Sequence, residues 1–154
     1  MEYQTKNILG HEKNFIKLCK LIKKNKLPNS IVFQGSKGIG KTTSAFRIAQ
    51  FIFEQKEEPT NLYKFNNSNI YQKICNNSYP NLLFIDKPWL EEKKRYKNQI
   101  YKDDIVSIKK FYLNKEEDGQ YRICIIDNID DFSTDASNSL LKLIEEPPNK
   151  SLFI

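Results

Sequence analysis

The chain has 154 residues, 39% hydrophobic and 29% charged, with a net charge of +6, which suits one domain with a real core. Its three cysteines are odd in number and form no C-x-x-C pair, so neither a disulfide framework nor a structural zinc is expected, and free thiols fit a reducing cytoplasm. No apolar run reaches membrane-spanning length and the N-terminus is polar, so neither a spanning helix nor a signal peptide is expected.

Residues 11–25 read as a helix, because Phe15, Leu18, Cys19 and Ile22 recur at i, i+3, i+4 and i+7. The charge excess is N-terminal: residues 1–60 hold 11 Lys+Arg against 5 Asp+Glu, and the remainder holds 14 of each. Lys13, Lys17, Lys20 and Lys24 are spaced to share one face of this helix. That face reads as a solvated outer surface, with nucleic-acid contact as the sharper alternative. Pro28 and Asn29 break the pattern, and Ile31–Gln34 reads as the first strand.

That strand runs into Gly35, Ser36, Lys37, Gly38, Ile39, Gly40, Lys41, Thr42 and Thr43, which is the phosphate-loop pattern G-x-x-x-x-G-K-[ST]. Spaced glycines let backbone N–H groups curl round a phosphate, and the following helix points its positive end at it. Lys41 can reach the outer phosphates, and the Thr42 hydroxyl can ligate Mg²⁺. Gly35–Thr43 are therefore the candidate nucleotide-binding residues, for ATP with Mg²⁺. Ala45, Ile48, Ala49 and Ile52 continue a helix to about residue 55, and Pro59 stops it.

Residues 60–80, rich in Asn, Ser and Tyr, read as a linker with at most a short helix near Asn69–Cys75. Leu82–Ile85 is a strand, and Asp86–Asn98 reads as an exposed excursion. A helix over 102–113 carries Ile105, Ile108 and Tyr112 on one stripe, and Gly119 marks a turn. Arg122–Ile126 is nearly all apolar, as a strand covered on both faces should be. Ser133 or Thr134 caps a helix over 135–146 with Leu140, Leu141 and Ile144 inward; Pro147 and Pro148 end it, and Leu152–Ile154 begins another strand. Strands alternating with helices imply a parallel sheet in a layered α/β fold. The chain stops inside an apolar strand, which reads as a truncated sequence.

Asp127 closes the buried strand, so it lies at the carboxyl edge of the sheet, where it can hold Mg²⁺ bridging nucleotide phosphates. Asp130 and Asp131 read as solvated or helix-capping residues.

Arg122–Ile154 resembles the AAA+ clamp-loader family. The matching residues are the Asp-ended strand and then Ala136, Asn138, Leu140, Leu141, Lys142, Glu145, Glu146, Pro147 and Pro148. Ile8-Leu9-Gly10-His11 is similar to that family's adenine-side N-terminal segment. Leu27–Ser30 stands where the family has its His-Ala segment. Asn77–Asn81 resembles its Ser-His-Pro-Asp stretch, with Tyr79 for the His and Asn81 for the Asp. Within the family the likeness is to the delta-prime type of bacterial DNA polymerase III subunit rather than to gamma/tau, whose four-cysteine zinc module is missing here.

The resemblance implies a P-loop NTPase (AAA+) three-layer sandwich over residues 1–154, stopping before the last strand, lid and collar. It implies a cytoplasmic clamp-loader subunit that helps load the sliding clamp onto primed DNA with gamma/tau and delta subunits. Where AAA+ ATPases carry a Glu that activates water, this chain has Asn128, and an amide cannot act as a general base. The family's arginine finger and sensors lie beyond Ile154. No catalytic residue is therefore assigned, and nucleotide binding is better supported than hydrolysis. Asn138, Lys142 and Glu145 lean towards a subunit-interface or nucleotide-edge role. The alternatives are another P-loop ATPase or small phosphotransferase, and a non-catalytic AAA+ scaffold.

Overall fold

Alternating apolar residues on three parallel strands sort the core of this protein into two halves. The computed structural model describes residues 10–55, 68–113 and 120–154. The strands are β1 (Leu82–Ile85), β4 (Arg122–Ile126) and β5 (Ser151–Phe153), in the order β1-β4-β5. The register sets Ile85 opposite Ile126, and Ile123 opposite Leu152. Successive side chains of a strand point to opposite faces. Leu82, Phe84, Ile123, Ile125 and Leu152 accordingly face one helical layer, and Leu83, Ile85, Cys124, Ile126 and Phe153 the other.

The first layer is α1 (Glu12–Lys23), α2 (Lys41–Glu54) and α3 (Asn69–Cys75). Phe15 and Cys19 of α1 pack with Ala45, Ile48, Ala49 and Ile52 of α2, while Leu18 and Ile22 are half-buried at the margin. The second layer is α4 (Lys102–Leu113) and α5 (Thr134–Glu145). Ile105, Ile108 and Tyr112 of α4 meet Ala136 and Leu140 of α5 against the sheet. Each fully buried aliphatic side chain of this kind stabilises the fold by about 1.5–3 kcal/mol relative to exposure. The Tyr112 hydroxyl also donates to the Leu152 carbonyl at 3.1 Å, tying α4 to β5. Helices on both faces of a parallel sheet make the three-layer α/β sandwich expected from the sequence.

Local chemistry sets the helix ends. The Ser68 hydroxyl accepts from the Tyr71 amide at the start of α3, and Ser133 does the same from Ala136 at the start of α5. Pro147 and Pro148 follow α5, as a helix stop should.

Two expectations need correction, and a third gains detail. Ile31–Gln34 is not a strand: only Ser30 bridges Phe153, in parallel, with Ile31 N donating to the Phe153 carbonyl at 2.9 Å. Past that bridge the segment makes no ladder, and Val32 is 82% exposed. Asp86–Asn98 is an excursion with structure of its own, an antiparallel hairpin of β2 (Trp89–Leu90) and β3 (Arg95–Tyr96). Leu141 points outward and is 51% exposed, because α5 buries a narrow stripe through Ala136 and Leu140 that its 100° turn carries past residue 141. The expectations for Ile8–Leu9, Pro59, the start of the 60–80 linker and Gly119 fall outside the described residues.

Candidate functional site

The loop between the Ser30 bridge and α2 is shaped by its glycines. Gly40, the residue before α2, has φ +89°, a left-handed conformation that L side chains seldom adopt. Gly35 has φ +152°, and a Cβ placed there would stand 2.4 Å from Ile39 Cδ1. No side chain caps α2 and no acid lies in its first turn. Its first amides and the positive end of its dipole are thus left to the loop's concave side, which favours an anion there.

Lys41 is the first residue of α2, and its Nζ donates to the carbonyls of Gly35 and Ser36, each at 2.9 Å. The ammonium is held over the loop by the loop's own backbone. Next in sequence, Thr42 Oγ1 donates to Asp127 Oδ1 at 2.6 Å, across 85 residues of chain. Of the residues singled out from the sequence, Lys41, Thr42 and Asp127 therefore converge. Ser36, Lys37, Gly38 and Ile39 form the exposed rim of the loop. Thr43 instead borders a small cleft between α2 and α3, beside Phe46 and Tyr71.

Asp127 is positioned by the sheet: its amide donates to the Ile85 carbonyl at 3.0 Å, and the Ile126 amide donates to Ile154 at 2.8 Å. The same register brings Asp86, the residue after β1, next to Asp127. Burial and then the negative charge of Asp127 hold the Asp86 carboxyl above the ordinary carboxylate range. Sequence reasoning missed Asp86, although a signal was present: each strand ends in Ile and is followed directly by Asp. A threonine hydroxyl and a carboxylate this close form the hard-oxygen donor set that suits Mg²⁺. The Asn128 side chain is turned to its own backbone, accepting from the Asp130 amide at 3.3 Å. Asp131, expected to be solvated or capping, forms an ion pair with Lys87 at 2.8 Å.

Beside the loop lies a pocket of about 440 Å³ lined by His11, Phe15, Leu18, Phe33, Ile39 and Lys41 among others. It is largely apolar, and the sequence alone did not point to it as a cavity. A second feature invisible in the sequence is the pair Arg47 and Gln50, both buried on α2. The Arg47 guanidinium donates to Gln50 at 2.8 Å and lies 4.9 Å from the Tyr71 ring centroid. It fastens α3 to α2 on the far side of the loop helix. Burial pushes the Cys19 thiol up to about 12 and the Cys124 thiol up as well, so neither is poised as a nucleophile. Among the described residues no helix is long and apolar enough to cross a membrane, and no group of three or more His, Cys, Asp or Glu is placed to share a metal ion.

A glycine-shaped loop, a Lys-Thr helix start and an acid closing the neighbouring buried strand, on a parallel sheet covered by helices on both faces, define the class: a P-loop α/β fold of the AAA+ type. The family model described as DNA polymerase III, delta subunit, matches residues 10–154, and the chain belongs to that family. It is 28% identical over 130 residues to the DNA polymerase III subunit delta′ of Buchnera aphidicola subsp. Baizongia pistaciae, covering 84% of this chain and 38% of that protein. Against the subunit delta′ of Bacillus subtilis it is 27% identical over 139 residues, covering 86% and 37%. Against the subunit gamma/tau of Mycoplasma genitalium it is 30% identical over 149 residues, covering 97% and 23%. The chain thus spans about two fifths of the length of the delta′ relatives and less of the gamma/tau one.

Proposed function

We propose that this chain is the nucleotide-binding part of a delta-prime-type clamp-loader subunit, taking ATP or ADP with Mg²⁺ at the loop Gly35–Thr43. The observation that carries the reading is the 2.6 Å bond between Thr42 and Asp127 beside the open N-terminus of α2. In this proposal Lys41 leaves the loop carbonyls for the outer phosphates, Thr42 and Asp127 hold Mg²⁺, and the pocket beside Phe15 and Phe33 receives the base. The metal would neutralise phosphate charge; the chain's own part is to bind and orient.

Hydrolysis by the chain alone is proposed to be weak or nil. Asn128 is an amide occupied with its own turn, and an amide cannot accept a proton from water at neutral pH. In the cell the protein would act in the cytoplasm, with gamma/tau and delta subunits, in loading the sliding clamp onto primed DNA. Asn138, Lys142 and Glu145, all exposed on α5, are candidates for a subunit contact. Membership of the DNA polymerase III family supports these assignments.

Calorimetric titration with ADP and Mg²⁺ tests the core of the proposal. Lys41→Ala should remove measurable binding while far-UV circular dichroism stays unchanged. Equal affinity for the two proteins would refute the assignment.

A further inference from the structure

The hairpin that leaves the carboxyl edge of the sheet carries a feature the nucleotide reading does not use. Trp89 and Tyr96 are cross-strand partners and therefore share one face. Their rings meet edge-on at 4.9 Å, yet they remain 47% and 53% exposed. Two large aromatics presented together to solvent are unusual for a surface with no ligand to meet. Their hairpin is firmly rooted. Lys97 N donates to the Pro88 carbonyl at 2.8 Å, and Ile100 bridges Phe132. Lys87 and Lys97 form ion pairs with Asp131 and Asp104 at 2.8 and 3.2 Å. A rigid base lowers the entropy lost when the rings are covered.

The tip beyond the rings is basic. Lys93, Lys94 and Arg95 are consecutive and exposed, and among the described residues none of them forms an ion pair with a carboxylate. Glu91 and Glu92, on the preceding turn, offset part of this charge. A purely electrostatic anion site is therefore a poor account of the hairpin, whereas rings plus cations suit a ligand that is flat and anionic at once. We propose that the hairpin is a platform for single-stranded nucleic acid: bases stack on Trp89 and Tyr96, and Lys93, Lys94 and Arg95 take the backbone phosphates. A duplex keeps its base faces covered, so it cannot use the rings. The inference does not depend on nucleotide binding at Gly35–Thr43.

Trp89 is the only tryptophan of the chain, so its fluorescence reports on this site alone. The whole chain is titrated, without nucleotide, with oligodeoxythymidylate of about 16 nucleotides, a span typical of such sites. A duplex of equal length and inorganic polyphosphate are titrated in parallel. The single strand should quench Trp89; duplex and polyphosphate should not. With a labelled oligomer read by anisotropy, Trp89→Ala should weaken binding about tenfold, and Trp89→Phe, which keeps a stacking ring, should largely restore it. The double variant Lys93→Gln/Arg95→Gln should flatten the slope of log affinity against log salt by about 1.4. It also keeps the test intact if Trp89→Ala disturbs the hairpin. An oligomer that does not bind, that binds without quenching, or that is matched by polyphosphate overturns the proposal.

Discussion

Gly35→Ala isolates what the shape of the loop contributes. The new methyl group would lie 2.4 Å from Ile39 Cδ1 and 3.6 Å from Ile39 Cγ1, while the backbone φ is +152°. The two penalties differ in kind. The clash is with the far end of a side chain that is 41% exposed, so Ile39 can rotate away at about 0.5–1.5 kcal/mol. The backbone penalty, about 1–3 kcal/mol, stays unless the loop changes course. Because the loop lies outside both core clusters, it can relax without unfolding the domain, and the chemical denaturation midpoint should move little. Binding of ADP with Mg²⁺ should instead weaken about tenfold or more, since a relaxed loop no longer presents its amides together. Adding Ile39→Ala should recover the steric share, about two- to tenfold, and leave the backbone share. Wild-type affinity in Gly35→Ala, or full recovery in the double variant, would refute the argument that the φ angle of Gly35 shapes the site.

Three further outcomes follow from burial and charge. Asp86 binds a proton more readily folded than unfolded, so its ionisation makes stability fall as pH rises from the ordinary carboxylate range through the raised value. Asp86→Asn should thus raise the melting temperature at neutral pH and lose that advantage in acid; parallel melting curves across pH would contradict it. Ile108→Ala, at a fully buried position, should cost about 2–5 kcal/mol in urea unfolding, whereas Leu141→Ala on the outer face of α5 should stay within about 0.5 kcal/mol, and equal losses would place α5 wrongly. A thiol reagent should label Cys75 in the native protein and reach Cys19 and Cys124 only in denaturant; three fast thiols would mean the two core clusters are not closed.

The layered fold was legible because two periodicities are clean. The 3.6-residue stripe at Ala45, Ile48, Ala49 and Ile52 and the unbroken apolar run Ile123–Ile126 have one reading each. The short helix Asn69–Cys75 was expected at most as a brief helix within a polar stretch, and the structure adds its cap, Ser68. What failed depends on partners that lie far away in sequence. Ile31–Gln34 has the composition of a strand, but composition does not supply a partner, and only Ser30 beside it forms a bridge, to Phe153. Leu141 fits a helical stripe by spacing, yet the width of the buried stripe is set by the sheet beneath it. At the site, Lys41, Thr42 and Asp127 could be named because a motif fixes the first two and a strand end the third. Asp86 and the Trp89–Tyr96 pair could not, since each acquires meaning only from a cross-strand neighbour.

The two carbonyl contacts of Lys41 alter how any substitution there is interpreted. In the free protein the ammonium is a clasp that draws Gly35 and Ser36 inward. Under the proposed nucleotide binding, a phosphate arriving at the loop would exchange one set of acceptors for another, so the enthalpy of that step would be a difference between two hydrogen-bonded states. Shortening the side chain removes the clasp as well as the phosphate contact, and the empty loop then spreads over more conformations. Part of the affinity that Lys41→Ala is expected to lose would therefore be disorder in the free protein. Amide hydrogen exchange at Ser36–Ile39 without ligand would separate that part from the charge lost to the nucleotide.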